Sequence, residues 1–166
     1  MKRSSLHIGR VYKFVHYEDV WIKTNLTGRN PDNEDPHEWL KIDNLGTITV
    51  KGSRRGGFAW NGCSPKWNCL HFTWGTPDGK LDYFTEKPMT YYASMVHDAI
   101  YFVKGSVNIS RKETDVIFKL LLREAKFMWC WKYFFWVRAV GWALGKWERK
   151  GGQRGVVING YSWMAE

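Results

Sequence analysis

The chain changes its hydrophobic period once. Up to about residue 60, apolar and polar positions alternate by twos, in Val11-Tyr-Lys-Phe-Val-His-Tyr, Val20-Trp-Ile-Lys-Thr, Trp39-Leu-Lys-Ile and Thr47-Ile-Thr-Val. Such runs between polar breaks predict half-buried strands. The span Gly28 to Pro36, with Asn30, Pro31, Asp32 and Asn33, reads as a surface loop. Lys51 to Gly57 is basic and glycine-rich, and Phe58-Ala-Trp-Asn-Gly-Cys-Ser-Pro opens an irregular stretch. From there to Pro88, the breakers Pro65, Gly75, Pro77 and Gly79 predict mostly loop. A loop of that length in a compact domain usually carries or covers something functional.

After Pro88 the period lengthens. Met89, Ala93, Val96, Ile100 and Val103 form one helical stripe, with His97 on its flank and Asp98 and Tyr101 on the same helix. A polar break follows, containing Lys104, Gly105, Ser106 and Asn108. Ser110 and Glu113 then have the spacing of a capping box, which predicts a second helix. On it, Phe118, Leu122 and Ala125 follow Asp115 at offsets that put Asp115 on the apolar face. A carboxylate there is costly unless a partner satisfies it. If the two helices fold back as a hairpin, His97 and Asp115 lie at similar distances from the bend, and the imidazole meets the carboxylate. The Phe127 to Trp147 segment predicts an aromatic-rich third helix. Beyond Glu148 a basic, glycine-rich tail ends in a short strand, Val156-Val-Ile, and an Asn159-Gly160 turn. The expected fold class is α+β in one domain: a β part to about residue 60, loop over about 61–88, helices over about 89–148, and a tail over 149–166.

Composition adds direction. Lysine and arginine outnumber the acids by 25 to 16, a net charge of +9, so anionic partners are favoured: a phospholipid surface, an acidic protein or nucleic acid. The basic run Lys51 to Arg55 has no nucleic-acid-binding motif beside it, so nucleic acid is the least expected. Three cysteines, Cys63, Cys69 and Cys130, point away from a disulfide framework and towards a reducing compartment. The first residues contain no secretory signal. The chain is therefore expected to be made in a cytoplasm, with membrane-peripheral association or packaging in a particle left open. Cys63, Cys69 and His71, with Cys130 or His97, have no spacing characteristic of zinc. His7, His16 and His37 have no visible partner. Five tryptophans, three phenylalanines and Tyr133 fall between Phe127 and Trp147. Lys132, Arg138 and Lys146 inside that segment argue against a transmembrane span. It reads as core, as an interfacial membrane face, or as a protein-binding surface.

Two resemblances sharpen the picture. His97-Asp-x-x-Tyr101, preceded by Gly62-Cys-Ser-Pro and followed by Asp115-x-x-Phe118, resembles the phospholipase A2 superfamily, especially its prokaryotic branch. Gly57-Phe through Ser64-Pro65, His97-Asp98, and Arg111 through Asp115 to Phe118 resemble an uncharacterised tailed-phage family. That family carries Gly-Phe-x-x-Asp-Gly-x-Ser-x-Pro, His-Asp-x-x-Tyr and Arg-x-x-x-Asp-x-x-Phe blocks. The phospholipase resemblance implies a calcium-dependent hydrolase of phospholipid esters. In it His97 takes a proton from water, Asp115 orients the imidazole and Tyr101 hydrogen-bonds Asp115. It also implies calcium held by Asp98 with backbone oxygens around Trp60, Gly62 and Ser64. Two departures stand out: Asn61 replaces the family's Asp before Gly, and Pro65 comes one residue early. The alternative expectation is a non-enzymatic virion component or host-protein inhibitor on a degenerate hydrolase scaffold.

Overall fold

Alternation along the N-terminal third produces a sheet with one wet and one dry face. The structure, a computed structural model, describes residues 12–30, 37–54, 56–63, 66–69, 72–75, 78–104, 106–143, 152–153 and 155–164. Strand β1 is Phe14–His16, β2 Asp19–Thr24, β3 Leu40–Ile42 and β4 Thr47–Lys51. Along β2, Val20, Ile22 and Thr24 are buried while Asp19, Trp21 and Lys23 face out. The antiparallel register sets Val20 and Leu40 opposite Val50, and Ile22 and Ile42 opposite Ile48. Six branched side chains therefore line one face, the arrangement a pleated, half-buried surface favours.

The expected β part does run to about residue 60, but a hairpin lies inside the expected central loop. β5, Phe58–Trp60, pairs with β1, so the irregular stretch begins after Trp60. β6, Lys66–Cys69, and β7, Phe72–Gly75, form an antiparallel hairpin with Trp67 opposite Trp74. Apolar residues do recur by twos there, but the surrounding glycines and prolines mask so short a pattern. The end of the chain also differs from expectation. β8, Ile158–Tyr161, continues through Asn159 and Gly160 with a register shift at Asn159 and completes the sheet order β3-β4-β2-β8. The exposed edge of β2 supplies backbone partners, and these override the local turn preference of Asn-Gly.

The helices follow the sequence closely. α1 is Tyr91–Phe102, α2 Arg111–Glu124 and α3 Cys130–Ala143. At the start of α2 the capping box forms in full: Ser110 Oγ accepts from the Glu113 amide at 3.2 Å, and Glu113 accepts from the Ser110 amide at 2.7 Å. α2 ends with Phe127 N–H reaching back to the Leu122 carbonyl, which requires Lys126 to sit at a φ of 54°. Met95, Val96 and Ile100 of α1 and Ile117, Phe118, Leu121 and Leu122 of α2 join the sheet's dry face in one apolar cluster. Among the described residues, no helix is long and apolar enough to cross a membrane.

Candidate active site

The hairpin of α1 and α2 brings the predicted imidazole and carboxylate together. His97 Nε2 lies 3.2 Å from Asp115 Oδ1, and Tyr101 donates its hydroxyl to the same oxygen at 2.9 Å. Helical spacing explains both contacts: His97 and Tyr101 are four residues apart, so they stack on the same side of α1. Their rings lie 4.3 Å apart, and the Phe118 ring closes the other side at 4.8 Å from His97. Asp115 is fully buried and His97 is 8% exposed.

Asp115 has further partners that the spacing did not disclose. Arg138 of α3 donates to Oδ2 at 3.0 Å, and Arg111 Nε lies 3.7 Å from the same atom, one turn earlier on α2. Arg111 also donates to the Arg138 carbonyl, which joins the two guanidinium-bearing residues. In sequence, Arg111 belongs to the Arg-x-x-x-Asp-x-x-Phe block, and helical periodicity alone places all three residues on one face. Arg138 gives a weaker signal, as one cation among the aromatics of α3. The carboxylate that burial makes costly is thus satisfied from three helices.

Electrostatics follow from this packing. Burial alone would lower the basicity of His97, but hydrogen bonds and charge from Asp115 and Asp98 outweigh it, and its pKa is raised. Burial alone would raise Asp115, yet His97, Tyr101 and Arg138 together hold its pKa below the ordinary value. Burial holds the Asp98 carboxyl above the usual carboxylate range, only partly offset by His97. A third of the Asp98 side chain still meets solvent, and its Oδ1 lies 3.6 Å from His97 Nδ1. The hundred degrees that separate neighbouring residues around a helix do not keep Asp98 away from the imidazole.

Of the residues named for calcium, those of the Gly62 turn already face a carboxylate with its own cation. Trp60 is in β5, and its indole donates to Ser94 Oγ at 3.0 Å. Gly62 has a φ of 74°, and the space a Cβ would occupy is filled by Asp78 Oδ1 at 2.4 Å. Cys63 N–H donates to that same oxygen, and Lys13 pairs with the other one. The turn is therefore closed on a carboxylate that already has an ammonium partner, next to which a second cation is disfavoured. Ser64 lies outside the described residues. Among the described residues, no three His, Cys, Asp or Glu side chains stand together as a metal group, zinc included. Cys63 and Cys130 are buried free thiols, and His71 lies outside the described residues. His16 and His37, without visible partners in the sequence, have them: His16 Nδ1 lies 3.2 Å from the Tyr91 hydroxyl, and His37 Nδ1 accepts from the Trp39 amide. His7 lies outside the described residues.

This site defines a class only by its chemistry: an oriented histidine on a helix hairpin in an α+β fold. No protein-family model, curated protein or solved structure matches the chain.

Proposed function

We propose that the chain hydrolyses carboxylic esters in the manner of phospholipase A2, with His97 as the general base, in keeping with the tailed-phage blocks it carries. The observation that carries this reading is the His97–Asp115 pair, supported by Tyr101 and Arg138. Neutral His97 keeps its proton on Nε2, where Asp115 receives the hydrogen bond. Nδ1 then accepts a proton from water as the water oxygen attacks the ester carbonyl. Asp115 stabilises the imidazolium, which returns the proton to the departing alkoxide, leaving an acid and an alcohol. Asp98 is beside Nδ1 and partly solvated, so it marks the side from which substrate reaches the base. No step passes through calcium.

The test is ester cleavage by wild type and His97→Asn, using a soluble chromogenic ester and phospholipid vesicles. Loss of the base lowers the rate by at least about 100-fold. Equal rates for the two proteins overturn the assignment. A second reading, a binding protein without catalysis, draws on the enclosure of the imidazole between Tyr101 and Phe118 with a carboxylate facing each nitrogen. It expects a folded wild type with no esterase activity.

A further inference from the structure

The third helix presents two unlike faces. Cys130, Tyr133 and Val137, three and four residues apart, are buried in the core. Away from that stripe Trp131, Phe135 and Trp136 are exposed, with Trp131 at 59% and Phe135 at 65%, and so are Met128 and Trp129 in the turn just before the helix. Core packing therefore accounts for one stripe of the aromatic segment and leaves the rest open. Large apolar groups gathered on one surface usually mark a place where something binds.

The cations around this face are arranged with it. Lys119 of α2 lies over the rings of Trp131 and Phe134, at 4.3 and 5.0 Å, and Lys132 lies over Trp129 at 3.8 Å. From Lys119 to Arg138 the chain carries Lys119, Arg123, Lys126, Lys132 and Arg138 against Glu124 alone, five positive charges to one negative.

We infer that the outer face of α3 docks onto an anionic lipid surface. Exposed tryptophan and phenylalanine on one helix, with lysine ammonium groups beside their rings, suit the level where headgroups meet acyl chains. The ammonium groups reach the phosphates while the rings enter the boundary. A second copy of this chain is the poorer occupant. A two-fold contact would press the patch against itself, setting Lys119 and Lys132 against their own copies. Nucleic acid is the poorer occupant too, because no nucleic-acid-binding motif accompanies these residues. The inference stands apart from the proposed ester chemistry, and it names where a substrate for that chemistry would be met.

The experiment uses the full chain and vesicles of ether-linked phosphatidylcholine, with and without ether-linked phosphatidylglycerol, so that binding is read without any ester to cleave. The expected result is sedimentation with the anionic vesicles, a blue shift of tryptophan emission, and release at high salt. Lys119→Gln with Lys132→Gln weakens binding about 25-fold, roughly fivefold for each cation removed near the surface. Trp131→Ser with Phe135→Ser weakens it about tenfold or more, and these exposed sites keep the thermal midpoint near that of wild type. Absence of binding to anionic vesicles at low salt overturns the inference. So does unchanged binding by both folded variants, or a preference for oligonucleotide or for self-association at this face. Esterase activity on the soluble substrate is measured separately, so the two readings fail independently.

Discussion

Asp115 offers two oxygens to His97 and Tyr101 of α1, Arg111 of α2 and Arg138 of α3. Its removal as a charge leaves Arg138, Arg111 and His97 facing a buried site without compensation. Asp115→Ala therefore costs about 3–5 kcal/mol, the usual result of breaking one side of a buried ion cluster. The pH dependence follows from two opposite shifts. Asp115 is lowered from 3.8, so its contribution is fully present above that pH and lost as pH falls through the lowered value. His97 is raised from 6.5, so its contribution is fully present below that pH and lost as pH rises through the raised value. The pair therefore stabilises the fold most between those two reference values. Urea midpoints measured against pH fall on both sides in wild type, and Asp115→Asn flattens both limbs. Calcium offers a second check at this scale. With the Gly62 turn closed on Asp78 and Lys13, calcorimetric titration with calcium gives the same non-saturating trace for wild type and Asp98→Asn. Saturable binding lost on Asp98→Asn would instead restore the ion to the site.

Two devices fix the ends of α2, and they differ in how much rests on them. Ser110→Ala removes one acceptor from one amide and costs about 1 kcal/mol. Glu113 holds more: besides the Ser110 amide it accepts from the Gln153 amide at 2.7 Å and from Arg29 at 2.5 Å. Glu113→Ala leaves the mostly buried Arg29 guanidinium unpaired and costs several kcal/mol, so chemical denaturation separates the two variants clearly. At the other end, Lys126 occupies a left-handed conformation that glycine adopts without penalty. Lys126→Gly raises stability by about 1 kcal/mol, read as a higher thermal midpoint. The capping box and the α1–α2 face were legible because each is local: Ser110 and Glu113, three positions apart, define the cap, and a 3.6-residue period defines the face. Arg138 was not legible as a partner of Asp115, because 23 residues and a turn separate them and only the seating of α3 joins them. For the same reason, the sequence showed an acid at Glu113 but neither Arg29 nor the Gln153 amide beside it.

At the scale of the molecule, the sequence placed a short strand in the tail but neither its run through Asn159-Gly160 nor its partner β2. β8 covers the edge of β2, where Ile22 faces Tyr161 and Thr24 faces Ile158 across a register shift. Side chains reinforce the seam: Asn25 donates to the Gly155 carbonyl and accepts from the Val157 amide, both at 2.9 Å, and Ser162 Oγ accepts from the Trp21 amide. Trp163 stacks on Tyr92 of α1 at 4.4 Å between ring centroids, so the same segment also spans sheet and helix. A chain ending after Gly151 loses all of these contacts together with the Gln153 amide on Glu113. The open edge of β2 then presents unpaired backbone groups beside Trp21 and Ile22, a template for pairing with another chain. The expected outcome is a thermal midpoint lowered by many degrees and a shift to large species on size exclusion. Trp163→Ala, which keeps the strand and loses the ring contacts to Tyr92 and Tyr161, gives a smaller drop and stays monodisperse. A truncated protein that melts cooperatively at the full-length midpoint would mean that β8 lies on a sheet already complete without it.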